Sequence, residues 1–415
     1  MPEISFTNAA IVAAVAFAVP LLLGFFPSVR LPAVALELVA GIVIGPSVLG
    51  WVEIDDVVQI MNLIGLAFLL LIAGLEVDYD RLRGRLLEIT GLGFVVSFAI
   101  AIVAGFVLDR TGLISSPLLV AIMFSATGLG VIIPVLKDTR NVESHFGQLA
   151  IAAASIAEVT PILLLSLFFS GEDSGIGAKV LLLGGFGLLI AAVGFAVVTA
   201  EHSMRVSGVL LRLQDTTAQI RLRGAFLLLI VMVVLADRFG LEAILGAFIA
   251  GAVLKIVDRD QMMTHPEFRV KLEAAGFGVF IPFFFVASGI RFDGGALFEN
   301  ATAILKVPLF LALLLLIRGL PAMLYRRQIT TRETIAAALL QATSLSFFVV
   351  AAGIGMELEL ISRATGAALI AAGLISVLVF PLAALTLLRK GMAAPADRAE
   401  AEAERAAVPQ PTSPM

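Results

Sequence analysis

The stretch LAIAAASIAEVTPILLLSLFF, residues 149–169, holds one charged side chain, Glu158, at the centre of an otherwise apolar run. A helix crossing the roughly 30 Å hydrocarbon core of a bilayer needs about 20 mainly apolar residues, and this run has that length. An ionised carboxylate at mid-bilayer is costly unless it faces water, a cation or a basic side chain, so an acid there is a functional candidate. Ser155 lies at i−3 on the same helical face and offers a hydroxyl oxygen to a cation. A carboxylate able to hold either a proton or a hard cation is the smallest exchanger chemistry allows. The competing structural reading is an acid kept neutral by a local hydrogen bond, which merely ties helices together.

Composition supports the membrane reading of that run. The 415 residues are 60% hydrophobic and 14% charged, with mean hydropathy +1.06, against about 25% charged in a typical soluble domain. The chain reads as an all-α polytopic membrane protein with no sizeable soluble domain. Cysteine is absent, and the three histidines, His145, His202 and His265, fall in polar connections. Disulfides, thiol chemistry and Cys-ligated metals are thereby excluded, and no cofactor is expected. No nucleophile–base pairing appears inside a span, which argues against an enzyme, and a net charge of −4 gives no footprint for nucleic acid.

Thirteen apolar runs follow one another, centred near Val15, Gly41, Leu69, Ala99, Ser125, Glu158, Leu188, Ile230, Phe248, Phe284, Leu313, Val349 and Ile375. The first lacks a basic leader and a small-residue cleavage site, so it reads as a span and not a signal peptide. Most of the 28 Lys and Arg fall in alternate connections, such as Arg81, Arg83 and Arg85, or Arg205, Arg212, Arg221 and Arg223. The other connections hold about one each: Arg110, Lys179, Arg238, Arg291 and Arg363. The positive-inside rule then predicts an N-terminus outside the cell membrane and a C-terminus in the cytoplasm. Residues 5–390 form the expected transmembrane domain; the Ala/Glu/Pro mixture of 391–415 predicts a disordered cytoplasmic tail.

Comparing the chain with itself reveals a weak repeat. LELVAGIVIG from Leu36 resembles LEAILGAFIA from Leu241, FLLLIAGLEVD from Phe68 resembles FFFVASGIRFD from Phe283, and SATGLG from Ser125 resembles QATSLS from Gln341. Each partner lies seven spans from its match, and because seven is odd the two halves are inverted in the membrane. Inverted repeats are the architectural mark of secondary transporters, whose substrate sites lie near the midplane at discontinuous helices. Spans 5 and 12, FSATGLGVIIP and LQATSLSFFVVAAGIG, put hydroxyls and glycines at mid-span and are predicted to be broken there; close packing through small residues is the alternative. Thr127, Thr343 and Ser344 become candidate ion ligands beside Glu158 and Ser155.

Arg318 is the basic counterpart of the anomaly. It follows VPLFLALLLLI, several residues before the membrane-edge YRR. Snorkelling to the edge competes with a second role, neutralising Glu158 or the half-helix ends of the broken spans. Lys306 reads as a snorkelling anchor. Glu37 and Glu242 occupy equivalent repeat positions near span ends and read as structural.

Four strings go further: ELVAGIVIGPSVLGW (37–51), LIGLAFLLLIAGLEVDYDRLR (63–83), LGAFIAGAVL (245–254) and IPFFFVASGIRFD (281–293). They resemble the monovalent cation:proton antiporter superfamily, the sodium/proton exchanger membrane domain, over residues 11–388. The resemblance implies thirteen helices, a dimerisation part and a mobile core with two crossed broken helices, elevator-type alternating access and homodimers. It also implies exchange of Na⁺ or K⁺ for protons. The family's sixth-span Asp corresponds to Glu158, but the polar residue that usually precedes it is Ala157 here. Arg318 fits the family's basic position in span 11. One membrane carboxylate with a fixed Arg implies one-for-one electroneutral exchange. Two other readings stay open: a potassium efflux system needing a separate regulatory subunit, and a non-transporting membrane sensor or scaffold of the same fold.

Overall fold

In the computed structural model of the chain, the residues described are 5–25, 32–76, 84–112, 114–169, 219–257, 267–298 and 301–389, with the isolated glycines Gly177, Gly184, Gly185 and Gly187. The apolar run centred on Leu188, His202, His265 and the tail from 391 lie outside them. Helix α1 (Thr7–Phe25) is followed by α2 (Ala33–Ile44), α3 (Asp56–Glu76), α4 (Gly84–Arg110), the short α5 (Pro117–Ser125) and α6 (Leu129–Asp138), and α7 (His145–Phe169). The second half holds α8 (Ile220–Arg238), α9 (Ala243–Val257), and α10 (Glu267–Ala275), which runs through a π-turn (Gly276–Phe280) into α11 (Ile281–Ile290). After α12 (Gly294–Phe298), α13 (Ala301–Leu314) passes through a second π-turn (Leu315–Gly319) into a 3₁₀ segment (Leu320–Arg327). The last helices are α14 (Thr331–Gln341), α15 (Ser346–Glu357) and α16 (Arg363–Arg389). No strand occurs among the described residues.

Among the described residues, eight helices are long and apolar enough to cross a membrane, and three shorter apolar helices accompany them. This is a multi-pass membrane protein. Large apolar side chains such as Phe17, Leu22, Phe106, Leu227 and Leu305 stand exposed on its flanks, as lipid-facing helices require, because every backbone polar group is satisfied inside the helix itself.

Both predicted breaks are present, and local chemistry makes them. Ser116 caps α5 by accepting from the Leu119 N–H, with Pro117 on the first turn. Helix α5 then stops at Ser125, and Ala126 turns to extended backbone before α6 resumes at Leu129. Helix α14 starts on a capping box, Thr330 with Glu333, and ends at Gln341; α15 begins at Ser346.

The inverted repeat reappears in the packing. Gly41 of α2 and Gly289 of α11 let those two backbones touch, since a Cβ on either would collide with the carbonyl of Val286 or Leu38. In the related pair, Gly74 of α3 and Gly251 of α9 do the same against the carbonyls of Phe248 and Leu71. Small-residue contact of this kind substitutes in lipid for the hydrophobic force that is missing between helices there. On the other side of the molecule Phe124 of α5 meets Phe310 and Phe348 edge to face, centroids 5.7 and 5.3 Å apart, which locks the first broken span to α13 and α15.

Candidate functional site

The site begins with the proline of SIAEVTP. Pro161 lies inside α7 and has no N–H, so the carbonyl four residues earlier, that of Ala157, loses its helical donor. That carbonyl accepts instead from the Thr127 N–H at 3.1 Å. The break of the first interrupted span is thereby fastened to the turn that carries Glu158. Ala157 is fully buried; its contribution is a main-chain oxygen, at the position where the resembling family has a polar side chain.

The two breaks are stitched to each other. Thr127 Oγ1 donates to the Gln341 carbonyl at 2.6 Å, and the Gly128 N–H donates to the Thr343 carbonyl at 2.8 Å. Arg318 completes the knot. Its Nε donates to Thr127 Oγ1 at 2.8 Å and its Nη1 to Ser97 Oγ at 3.1 Å, while Ser97 Oγ donates to the Ile317 carbonyl at 2.8 Å. Arg318 is 1% exposed and sits within the second π-turn; such a turn inserts a residue and re-aims the side chains around it.

The C-terminal ends of α5 and α14 carry partial negative charge and the N-terminal ends of α6 and α15 partial positive charge. Arg318 reaches the crossing through the Thr127 hydroxyl, its Nη2 buried without a partner, and Ser346, first of α15, lines the same cavity as Glu158. The Leu129 N–H, first of α6, stands near the Glu158 carboxylate, and Glu158 Oε2 is buried with no hydrogen-bond partner. A cavity of about 510 Å³ opens onto this carboxylate. Its walls are mainly apolar, with Glu76, Thr127, Glu158 and Ser346 supplying polar atoms. No group of three or more His, Asp or Glu side chains able to hold a resident metal occurs among the described residues.

Of the residues singled out in the sequence, Glu158 and Thr127 share the cavity wall. Ser155 is fully enclosed in α7 with Oγ unpartnered, off that wall. The Thr343 hydroxyl turns back to the Leu340 carbonyl at 2.7 Å, so this residue reaches the crossing through its main chain. The Ser344 N–H donates to Ser376 Oγ at 3.3 Å while its own hydroxyl is buried without a partner. Arg318 makes no ion pair with Glu158; its bonds go to the hydroxyls of Thr127, in the first break, and Ser97, in α4. Lys306 Nζ is bound to Thr365 Oγ1 at 2.7 Å.

Two residues escaped the sequence reading. Ser97 looks like any small residue in a span. Glu76, the last residue of α3, was legible only as an acid at a membrane edge, in AGLEVD. Yet it lies on the same cavity wall as Glu158, and a methyl group placed on Gly130, in the first turn of α6, would touch its Oε2 at 4.0 Å.

Residues 13–390 match the family model described as sodium/hydrogen exchanger, transmembrane. The chain belongs to this family. Among its relatives, YjbQ of Bacillus subtilis, named as a candidate Na⁺/H⁺ antiporter, is 30% identical over 92% of this chain. The match covers 63% of YjbQ's own length. A second candidate Na⁺/H⁺ antiporter, from Methanocaldococcus jannaschii, is 29% identical over 90% of this chain and 94% of its own. GerN of Bacillus cereus, a Na⁺/H⁺–K⁺ antiporter, is 26% identical over 64% of this chain and 68% of its own. The sodium proton antiporter MjNhaP1 of M. jannaschii shares the fold of this exchanger-family chain, with a TM-score of 0.68 at 19% identity over 93% of this chain and 98% of that one.

Proposed function

We propose that this protein exchanges a monovalent cation for protons, with Glu158 holding the one and the other in turn. The observation that carries this reading is the placement of Glu158 on a cavity wall near the α6 N-terminus, with Oε2 buried without a hydrogen-bond partner. A hard cation needs just such an oxygen, and so does a proton. Thr127 and the main-chain oxygens of the breaks are the neighbouring ligands we assign; Ser155, Thr343 and Ser344 lie one layer behind and shape the pocket. The names of the relatives, all cation/proton antiporters, point the same way.

Arg318 is the charge-compensating residue of this scheme. Tied to Thr127 and Ser97, it neutralises the ends of α5 and α14 and leaves Glu158 to its two ligands. One cation for one proton is then electroneutral, draws about 1.4 kcal/mol per pH unit and takes nothing directly from the membrane voltage. Alternating access follows if the stitched crossing moves as one body against α2, α3 and α9, which are bound to α11 and to each other through touching glycines. The charge distribution orients the N-terminus outside and the C-terminus in the cytoplasm. Helix α1, the least enclosed of the candidate spans, offers an apolar face for a second copy in a homodimer.

The experiment is a pH-gradient assay in inside-out vesicles with an acid interior, adding Na⁺, K⁺ or Li⁺ to wild type and to Glu158→Gln. The gradient collapses with at least one cation in wild type and persists in the variant. Equal collapse in both would overturn the assignment, and no collapse in either, with the protein present, would overturn exchange itself.

A further inference from the structure

Two kinds of glycine occur along the helices. At Gly41, Gly74, Gly251 and Gly289 a Cβ would collide with a carbonyl oxygen of the facing helix, so packing demands them. Gly128 and Gly130, which flank the first residue of α6, are different. A Cβ on Gly128 would meet nothing nearer than the Thr343 carbonyl oxygen at 3.8 Å and Val131 Cγ2 at 4.0 Å, and one on Gly130 only Glu76 Oε2 at 4.0 Å. These are ordinary van der Waals distances, and neither residue has the positive φ that favours glycine. Alanine would fit at both places and would start α6 better. Packing and backbone geometry therefore leave these two glycines unexplained.

Their place in the site is fixed by their neighbours. Leu129, between them, is buried, and its N–H stands near the Glu158 carboxylate. Thr127, just before them, is bound through its N–H to the carbonyl of Ala157, next to Glu158 in the chain. Gly128 is half-buried, Gly130 is exposed, and both line the ion cavity. The inverted repeat sharpens the contrast, because QATSLS carries Ser344 and Ser346 where SATGLG carries the glycines. A side chain is thus tolerated at this point of the fold, and the half of the repeat nearest the carboxylate goes without one.

The open space bears on how a cation finds its oxygens. A hard cation needs several. The cavity wall is mainly apolar, and the Thr127 hydroxyl, which donates to the Gln341 carbonyl and accepts from Arg318 Nε, has one lone pair left. Water must complete the shell, and each water molecule needs about 30 Å³. A methyl group on either glycine would take up such a place.

We propose that Gly128 and Gly130 are specificity-determining residues of the exchange site, a bare seat beside Glu158 on which the monovalent cation keeps part of its water shell. A proton needs no such seat. Li⁺ and Na⁺ hold their water tightly, whereas K⁺ and Rb⁺ give it up more easily, so filling the seat penalises binding in the order Li⁺, Na⁺, K⁺, Rb⁺. This deepens the exchange reading and rests on it for the role of Glu158; the test separates the two.

The test is equilibrium binding to the purified full-length protein at fixed alkaline pH, with radiolabelled Na⁺ or Rb⁺ displaced by Li⁺, Na⁺, K⁺ and Rb⁺ in turn. Wild type is compared with Gly128→Ala, Gly130→Ala and, as a control, Gly91→Ala on α4, where a Cβ also meets nothing within 4 Å but outside the cavity lining. The two cavity variants should melt at or above the wild-type temperature and take up protons as wild type does on acidification without cations. Their affinity for Na⁺ should nevertheless fall about tenfold, with a larger loss for Li⁺ and a loss below about threefold for Rb⁺. The control should bind every ion as wild type does. Affinities equal to wild type in both cavity variants, or a fall of the same size for every ion, would overturn the proposal while leaving exchange intact. A marked drop in melting temperature would overturn it too, because the glycines would then be serving packing. If wild type binds cations yet moves no protons in vesicles, the exchange reading fails and the same competition still decides the seat.

Discussion

The two helix breaks occupy equivalent places in the inverted repeat but are held in different ways. At the first, Thr127 is held by three bonds: its N–H meets the Ala157 carbonyl, and its hydroxyl donates to the Gln341 carbonyl and accepts from Arg318. At the second, the Thr343 hydroxyl bonds back to its own helix, and Ser344 Oγ and Gln341 Nε2 are buried without partners. The first break is a clamp built onto the turn of Glu158, whereas the second is joined to it by the single Gly128–Thr343 main-chain bond and by Gln341. Symmetry of sequence thus sets where a chain is interrupted, while the local supply of donors decides which interruption is rigid. In the proposed exchange the rigid one belongs beside the carboxylate, because a proton and a cation would be distinguished there by where oxygen atoms are held.

That contrast is open to direct attack. The largest effect expected is on transport in Glu158→Gln, a fall of ~100-fold or more in the vesicle assay, with expression and melting retained. Next comes Arg318→Leu, which strips the clamp of its charge and leaves the Thr127 and Ser97 hydroxyls without their donor; thermal unfolding in detergent should register a loss of about 3 kcal/mol. Thr127→Val should cost about 2 kcal/mol because two hydrogen bonds go, one of them charge-assisted. Thr343→Val should cost about 0.5 kcal/mol, a single back-bond to its own helix being replaced by a methyl group. Equal losses in the two threonine variants would erase the distinction between clamp and slack break. The smallest effect belongs to Pro161→Ala. It supplies the missing N–H, which competes for the Ala157 carbonyl and loosens Thr127, so transport should slow about 5-fold while stability changes by less than about 1 kcal/mol.

Much of this architecture was legible beforehand, for identifiable reasons. Apolar length gave the spans, since lipid leaves a helix no alternative. Hydroxyls and glycines at mid-span in SATGLG and QATSLS gave both breaks, because an unbroken lipid-facing helix has no use for them. The run around Glu158 marked the carboxylate by the cost of burying it. What stayed hidden depends on geometry beyond the chain's local pattern. A π-turn aims Arg318 at Thr127 in preference to Glu158, and nothing in LLIRGL announces it. The role of the Ala157 carbonyl needs both Pro161 and the approach of a distant break. Glu76 reads as a membrane-edge acid until the fold folds α3 against α6 and brings it to the cavity wall.

The most direct test of the central claim, that one carboxylate serves proton and cation in turn, is equilibrium binding of radiolabelled Na⁺ or Rb⁺ to the purified protein as a function of pH. Competition at Glu158 predicts that on the acid side apparent affinity weakens about tenfold for each pH unit lowered, and that Glu158→Gln abolishes binding. Cation binding that ignores pH, or that survives in Glu158→Gln, would contradict it.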